Sequence, residues 1–158
     1  VYGGAKVGLM QRVADGALEQ GGEVIGVLPK FLGRKELAHE NLSRLVFVET
    51  MHERKYRMYE LCDGVIALPG SYGTMDEFFE ILTWGQLGLH RKPVAILNTN
   101  GFYDPLLAQI RIMSDEGFLK EAYHNMLIVS ANIDDLLIRM KTYQAPSEGK
   151  WITDNRPK

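Results

Sequence analysis

Residues 68–77, with the sequence LPGSYGTMDE, combine glycines, hydroxyls and carboxylates in one short stretch. They follow an apolar run at residues 65–68 that is typical of a buried strand, and they lead into residues 78–82, whose apolar side chains have helical spacing. In a strand-to-helix turn of this kind, backbone N–H groups converge at the positive end of the helix, and glycines let an anion approach the main chain. The sequence therefore predicts a phosphate site at residues 68–74, the glycine turn. Their order matches neither the dinucleotide fingerprint G-x-G-x-x-G nor the lysine-containing loop of nucleoside triphosphatases.

Thr50 and Glu53 have the spacing of a capping box, which predicts a helix over residues 50–61. Arg54 lies on the apolar stripe of this helix. Met51 comes three residues before it and Met58 four residues after it, so the spacing points the arginine inward. Because an unpaired buried charge is costly, such a guanidinium needs anionic or carbonyl partners. An arginine that reaches the surface or pairs with a structural carboxylate is, on composition alone, the more frequent case. Lys55, one step around the helix, could reach a phosphate or could simply be solvated.

Two carboxylates follow the glycine turn. Glu77 comes three residues after Thr74, which is the spacing of a capping box, so Glu77 could do no more than satisfy a backbone N–H. A carboxylate in this place would also lie near the sugar of a nucleotide whose phosphate occupied the turn. Glu80, one helical turn further on, could complete a two-carboxylate site or belong to a polar helix face, and spacing alone favours the polar face.

Composition favours a small ligand over a macromolecular one. The chain has 158 residues, 46% of them hydrophobic and 24% charged, which is ordinary for one globular domain. Eighteen basic and twenty acidic residues give a net charge of −2 without any block of like charge, so neither nucleic acid nor a membrane is an expected partner. No apolar run is long enough to cross a bilayer and no signal peptide is seen, which predicts a cytosolic protein.

Cysteine and histidine content argues against a metal site. A single cysteine, Cys62, excludes an internal disulfide and a cysteine cluster, and its position near a predicted helix end favours a small buried side chain over a nucleophile. The four histidines lack the spacing of metal ligands and are expected to be structural: His39, His52, His90 and His124.

Strands and helices alternate along the chain, which predicts an α/β fold with a mostly parallel sheet and a ligand beyond the carboxyl ends of its strands. The glycine turn would lie at that edge. A single domain is expected over residues 1–143, and a polar tail over residues 144–158. The predicted strands are 23–28, 44–48, 65–68, 94–97 and 126–129, and the predicted helices are 10–18, a short one within 30–43, 50–61, 74–87, 104–117, with Asp104 as N-cap, and 133–143.

The motif MHERK at residues 51–55, followed by residues 68–77, resembles the Lonely Guy family, the cytokinin riboside 5′-monophosphate phosphoribohydrolases. The family pattern is an arginine and a lysine followed along the chain by P-G-G-x-G-T-x-x-E, and the two parts in this order are a specific signal. Further sequence blocks extend the resemblance from residue 1 to about residue 140. These blocks are residues 1–4 with 8–10, 22–29, and 83–88 with 92–93.

The resemblance implies a Rossmann-like three-layer fold and a homodimer that removes the base from a nucleoside 5′-monophosphate and releases ribose 5-phosphate. Arg54 and Glu77 would be the catalytic pair, and no metal or redox cofactor is implied. Members of the family have often been labelled lysine decarboxylases, but no motif here identifies a lysine that would bind pyridoxal phosphate. The residues implied to bind phosphate or ribose are Lys55, Gly70, Ser71, Tyr72, Gly73, Thr74 and Glu80.

The sequence departs from the family pattern in three places. Ser71 stands where the P-G-G-x-G-T motif usually has its second glycine. Ala5 replaces the third glycine of the cluster that begins with Gly3 and Gly4. A positive φ at Ser71 would strain the backbone, although the hydroxyl could also donate to phosphate. The family's first strand and helix are not seen in this sequence, so part of the site is expected to lie upstream of Val1.

Two other functions fit parts of this pattern. A nucleotide or cofactor carrier without catalysis would need the glycine turn but would have no use for Glu77 with Arg54. A purely structural oligomerisation module would explain the alternating elements but not the glycine turn. The enzyme accounts for all of these features.

Overall fold

The computed structural model describes residues 1–33 and 38–146. The chain forms two compact units, Val1–Cys62 and a second unit that begins at Asp63. The prediction of one domain over residues 1–143 therefore stays a prediction. Of the predicted polar tail, residues 147–158 lie outside the described residues, as do residues 34–37 of the stretch in which a short helix was predicted.

The first unit pairs two parallel strands, β1 and β2, with Ile25 opposite Arg44 and Pro29 opposite Val48. Its elements in chain order are α1 (Gly8–Glu19), β1 (Ile25–Pro29), α2 (Lys30–Gly33), β2 (Arg44–Val48) and α3 (Met51–Leu61). β1 is buried along almost its whole length, which is typical of a strand in a parallel sheet. Tyr2 continues this pairing through a parallel bridge to Gly26.

The second unit contains three parallel strands in the order β3, β4, β5. Its elements are β3 (Val65–Ala67), α4 (Tyr72–Gln86), β4 (Val94–Leu97), α5 (Asp104–Asp115), α6 (Glu121–His124), β5 (Leu127–Ser130) and α7 (Ile133–Lys141). A short 3₁₀ turn at Thr99–Gly101 lies between β4 and α5. Ala95, Ile128 and Leu136 form a buried cluster against which Ile66, Met140 and Tyr143 pack. One helix and all three strands therefore share a core.

The predicted α/β class with parallel strands is confirmed, and β2 and β4 have the predicted bounds. Thr50 also caps α3 as predicted, since its Oγ1 accepts from the Glu53 amide at 3.1 Å. The remaining predicted elements are present with ends shifted by a few residues, and α6 and the 3₁₀ turn had no sequence signal. No helix within residues 1–33 and 38–146 is long and apolar enough to span a membrane.

Two predicted helix starts are wrong. α4 begins at Tyr72 with Ser71 as N-cap, two residues before the predicted start at Thr74. α5 has Tyr103 as N-cap, and the predicted cap Asp104 is instead the first helical residue. The Asp104 carboxylate accepts a hydrogen bond from the Asn98 side chain at 2.8 Å, so a partner outside the helix has taken the group that would otherwise cap it.

Replacing Leu136 by alanine tests the core of the second unit. Leu136 is fully buried, so Leu136→Ala should lower the free energy of unfolding by about 3 kcal/mol through lost burial and a residual cavity. Its neighbour Leu137 is 41% exposed, and Leu137→Ala should cost less than about 1 kcal/mol. Urea denaturation of both variants gives the comparison, and equal losses would contradict the placement of this helix.

Candidate functional site

The glycine turn connects the end of β3 directly to the start of α4. Ser71 takes an extended backbone conformation (φ −104°, ψ −156°) and the helix begins at the next residue. The helical backbone bond from the Met75 amide to the Ser71 carbonyl measures 3.1 Å. The amides of Tyr72, Gly73 and Thr74 precede that bond, and amides in the first turn of a helix have no intrahelical acceptor. They also lie at the positive end of the helix dipole, so this turn can bind an anion.

The two glycines of the turn are needed for different reasons. A Cβ at Gly70 would lie 2.1 Å from Oγ1 of Thr74, so the absence of a side chain there lets the threonine pack against the loop. A Cβ at Gly73 would meet no atom of the described residues within 4 Å. Packing therefore explains Gly70 but leaves the glycine at position 73 open to another explanation, the close approach of a ligand.

Neither substitution of a family glycine strains the backbone. φ is negative at Ser71, so the strain that a positive φ would cause there is absent. Ala5 is buried and forms a β-bridge with Ala38. Within the described residues Asn100 is the one non-glycine residue with a positive φ. Ser71 holds the N-cap position of α4, but its hydroxyl makes no capping bond to the helix.

Thr74 is not the N-cap of α4, so Glu77 and Thr74 do not form a capping box at the start of this helix. With Ser71 as N-cap, Glu77 lies beyond the first turn of α4, where the amides already have intrahelical acceptors. Its side chain is half-buried, as is that of Glu80 one turn further along the same helix. The second unit thus brings the glycine turn and both carboxylates together on one turn and one helix.

A surface depression of about 400 Å³ follows one face of α4. Glu80 contributes to its wall, while Tyr72 at the start of the helix is 93% exposed. The other lining residues were not predicted as site residues, although their helical spacing along one face of α4 is visible in the sequence: Met75, Asp76, Phe79, Thr83 and Trp84.

Arg54, in the first unit, points inward as predicted. It is 9% exposed, and its Nε donates a hydrogen bond of 3.2 Å to the carbonyl oxygen of Val27 in β1. A Cβ at Gly3 would lie 2.0 Å from Nη2 of this arginine, so the guanidinium occupies space that any other residue at position 3 would fill. The alternative of an arginine that extends into solvent is wrong. Lys55 is half-buried beside it on α3.

Two of the histidines, His39 and His90, and the cysteine make hydrogen bonds that fit the predicted structural roles. His39 bonds Asp15 at 2.9 Å and accepts from the Asn41 amide, and His90 bonds the Ile81 carbonyl at 2.8 Å. The Sγ of Cys62, at the end of α3, lies 3.4 Å from the Tyr59 carbonyl. Residues 1–33 and 38–146 contain no group of three or more histidine, cysteine, aspartate or glutamate residues that could hold a metal ion.

This chain is similar to one family model and to several named proteins over most of its length. A family model described as "Possible lysine decarboxylase" matches residues 10–140. A cytokinin riboside 5′-monophosphate phosphoribohydrolase from Rhodococcoides fascians is 48% identical over 143 residues, which are 90% of this chain and 72% of the relative. Phosphoribohydrolases of the same name from Oryza sativa subsp. japonica and Arabidopsis thaliana are 40% and 42% identical over 99% and 98% of this chain.

The chain spans 64% of the length of the rice relative and 74% of the Arabidopsis relative. The family model covers well over half of the chain, and the identities lie well above the level at which a family is established. The chain therefore belongs to the Lonely Guy family of cytokinin riboside 5′-monophosphate phosphoribohydrolases.

Proposed function

We propose that this chain hydrolyses the N-glycosidic bond of a nucleoside 5′-monophosphate, either AMP or a cytokinin riboside 5′-monophosphate, and gives the free base and ribose 5-phosphate. One observation carries the proposal: a glycine turn with the free amides of a helix start is followed, on the same helix, by a half-buried carboxylate at Glu77. The names of the relatives supply the substrate class.

The glycine turn would hold the phosphate. The amides of Tyr72, Gly73 and Thr74 are oriented by the helix, and they would donate to phosphate oxygens without any reorganisation of the fold. The hydroxyls of Ser71 and Thr74 would add donors, and Lys55 would add a positive charge. In this assignment Gly70 acts by leaving room for Thr74.

Glu77 would act on the sugar. Cleavage of the bond between the anomeric carbon and the base nitrogen builds positive charge on the ribose ring, and a water oxygen forms the new bond to that carbon while the base leaves with a proton. A carboxylate beside the ring stabilises that charge, and it can bond ribose hydroxyls or orient the water. Glu80, one turn further on, would bind a ribose hydroxyl.

Arg54 would position the substrate and stabilise charge. A guanidinium stays protonated at any pH a protein experiences, so it is a poor proton donor to the base, but it holds its charge and geometry when buried. The bond to the Val27 carbonyl and the space left by Gly3 fix the direction of this side chain, which supports a role that depends on position.

A base-release assay separates this enzyme from a nucleotide carrier. The protein is incubated with AMP and with the N6-isopentenyl nucleotide, and free base is measured by chromatography. Release of base from either nucleotide supports the hydrolase, and the relative rates rank the two substrates. Binding of both nucleotides without release of base would contradict the hydrolase and favour the carrier.

Replacing Glu77 by glutamine tests the carboxylate. Glu77→Gln keeps the size and hydrogen-bonding capacity of the side chain but removes its charge, so kcat for base release should fall by about 100-fold or more. Glu116→Gln is the matched control, since Glu116 is exposed at the end of α5, and it should keep the wild-type rate. Equal rates for Glu77→Gln and the wild type would reject the catalytic role.

Replacing Gly73 by alanine tests the phosphate site. Because a Cβ at position 73 has open space among the described residues, Gly73→Ala should fold normally and gain up to about 1 kcal/mol of stability from helix propensity. It should nevertheless weaken binding of ribose 5-phosphate by about tenfold, since the methyl group occupies the path of the anion. Calorimetric titration and thermal unfolding give the two measurements.

The control for this substitution is Gly16→Ala in α1, where a Cβ also meets no atom of the described residues within 4 Å. This variant should resemble Gly73→Ala in stability and the wild type in binding. Unchanged affinity of Gly73→Ala for ribose 5-phosphate would contradict a phosphate at this turn.

We also propose that the protein works as a cytosolic homodimer. The depression along α4 exposes apolar side chains, Phe79 among them, and such surfaces are often covered by a partner subunit. Sedimentation velocity at micromolar concentration should give the mass of two chains of 17.9 kDa each. A single species with the mass of one chain would contradict the dimer.

A further inference from the structure

Tyr103, which the proposed mechanism does not use, contacts the glycine turn. It is 3% exposed, and its phenol oxygen donates a hydrogen bond of 2.5 Å to the carbonyl oxygen of Leu68. Burial raises the pKa of Tyr103, and a hydrogen bond between the Gly70 backbone and this phenol offsets the rise in part. One hydroxyl therefore bonds the main chain on both sides of Pro69.

These contacts begin where the sheet ends. The last paired residue of β3 is Ala67, opposite Ile96, so the Leu68 carbonyl is the first beyond the ladder. Pro69 has no N–H and cannot donate a backbone hydrogen bond. The Tyr103 phenol thus supplies a hydrogen bond to the main chain at the first residue beyond the strand pairing.

Asn98, the residue after β4, holds Tyr103 in place. Its Oδ1 accepts from the Tyr103 amide at 2.8 Å and its Nδ2 donates to Asp104 at 2.8 Å. Its own amide donates to the Ser130 carbonyl at the end of β5 at 2.9 Å. A single residue, through its side chain and its backbone amide, therefore ties the tyrosine to the carboxyl ends of two strands.

The chain reaches this position through a tight turn with two positive φ angles, 54° at Asn100 and 69° at Gly101. A Cβ at Gly101 would lie 2.5 Å from the Asp104 carboxylate, which is the group that Asn98 bonds. The turn at residues 100–101, Asn98 and Asp104 thus form one group of contacting residues next to the buried ring of Tyr103.

We propose that Tyr103 is a positioning residue that holds the peptide groups of Leu68 and Gly70 so that the amides of the glycine turn are oriented for the 5′-phosphate of the substrate. The inference rests on the proposed function, because it assigns the phosphate to that turn. The phenol touches the protein main chain and not the reacting atoms. Its loss should therefore act on ligands that carry the phosphate and not on those that lack it.

Tyr103→Phe tests the role, since it removes the hydroxyl and leaves the ring in its buried place. Binding of ribose 5-phosphate should weaken by about five- to tenfold, the effect of one or two lost hydrogen bonds. Binding of adenosine, which has no phosphate, should stay within about twofold of the wild type. In base release from AMP, KM should rise while kcat changes by less than about threefold.

The matched control is Tyr143→Phe. Tyr143 is partly buried in the same unit, where it packs against the cluster formed by Ala95, Ile128 and Leu136. It should lose no affinity for ribose 5-phosphate. Asn98→Ala gives a second test of the same support, and it should weaken binding of ribose 5-phosphate and spare binding of adenosine. These titrations measure binding at equilibrium, so they do not depend on turnover.

Three outcomes would overturn the proposal: unchanged binding of ribose 5-phosphate by Tyr103→Phe, equal weakening of adenosine and ribose 5-phosphate, or equal effects of Tyr103→Phe and Tyr143→Phe. Failure of the proposed function has a different signature. In that case the wild type would bind ribose 5-phosphate but release no base from AMP, and the comparison of Tyr103→Phe with the wild type could still be made.

Discussion

The start of α4 imposes the constraint on which the proposed site depends. A helix cannot supply acceptors for its own first amides, so Tyr72, Gly73 and Thr74 present donors at the end of a buried strand. Charged side chains are not required to create this preference for an anion, because the peptide dipoles of the helix supply it. What the rest of the second unit must do is keep the turn in one conformation, through the packing of Thr74 against Gly70 and the bonds of Tyr103 to the main chain.

The first unit contributes a different element, a guanidinium that is almost completely buried. Burial of a charge is costly unless hydrogen bonds replace the lost water, and the Val27 carbonyl supplies one such bond to Arg54. The glycine at position 3 removes the steric obstacle to this placement. An arginine positioned at this expense is well suited to a role that needs a fixed charge, whereas a purely structural residue could be replaced by an apolar side chain of similar volume.

Local sequence patterns predicted much of this arrangement. The capping box at Thr50 and the methionines around Arg54 predicted the start of α3 and the inward direction of the arginine, because helical spacing decides which residues share a face. Met51, at the start of that predicted stripe, is nevertheless 38% exposed. The start of α4 was predicted at Thr74, but serine is also a favoured N-cap residue, and the helix begins after Ser71. Thr74 therefore lies inside the first turn of α4 and does not form a capping box with Glu77.

The sequence by itself determined the α/β class, the parallel alternation of elements, the glycine turn and the motif that resembles the family, because each depends on the spacing of residues close together in the chain. Only the tertiary structure decided which partners those residues meet. The Tyr103 phenol bonds a carbonyl 35 residues away, and Arg54 bonds one 27 residues away. No local pattern encodes such pairs, because they arise when parallel strands bring their ends to one edge of a sheet and helices pack beside them.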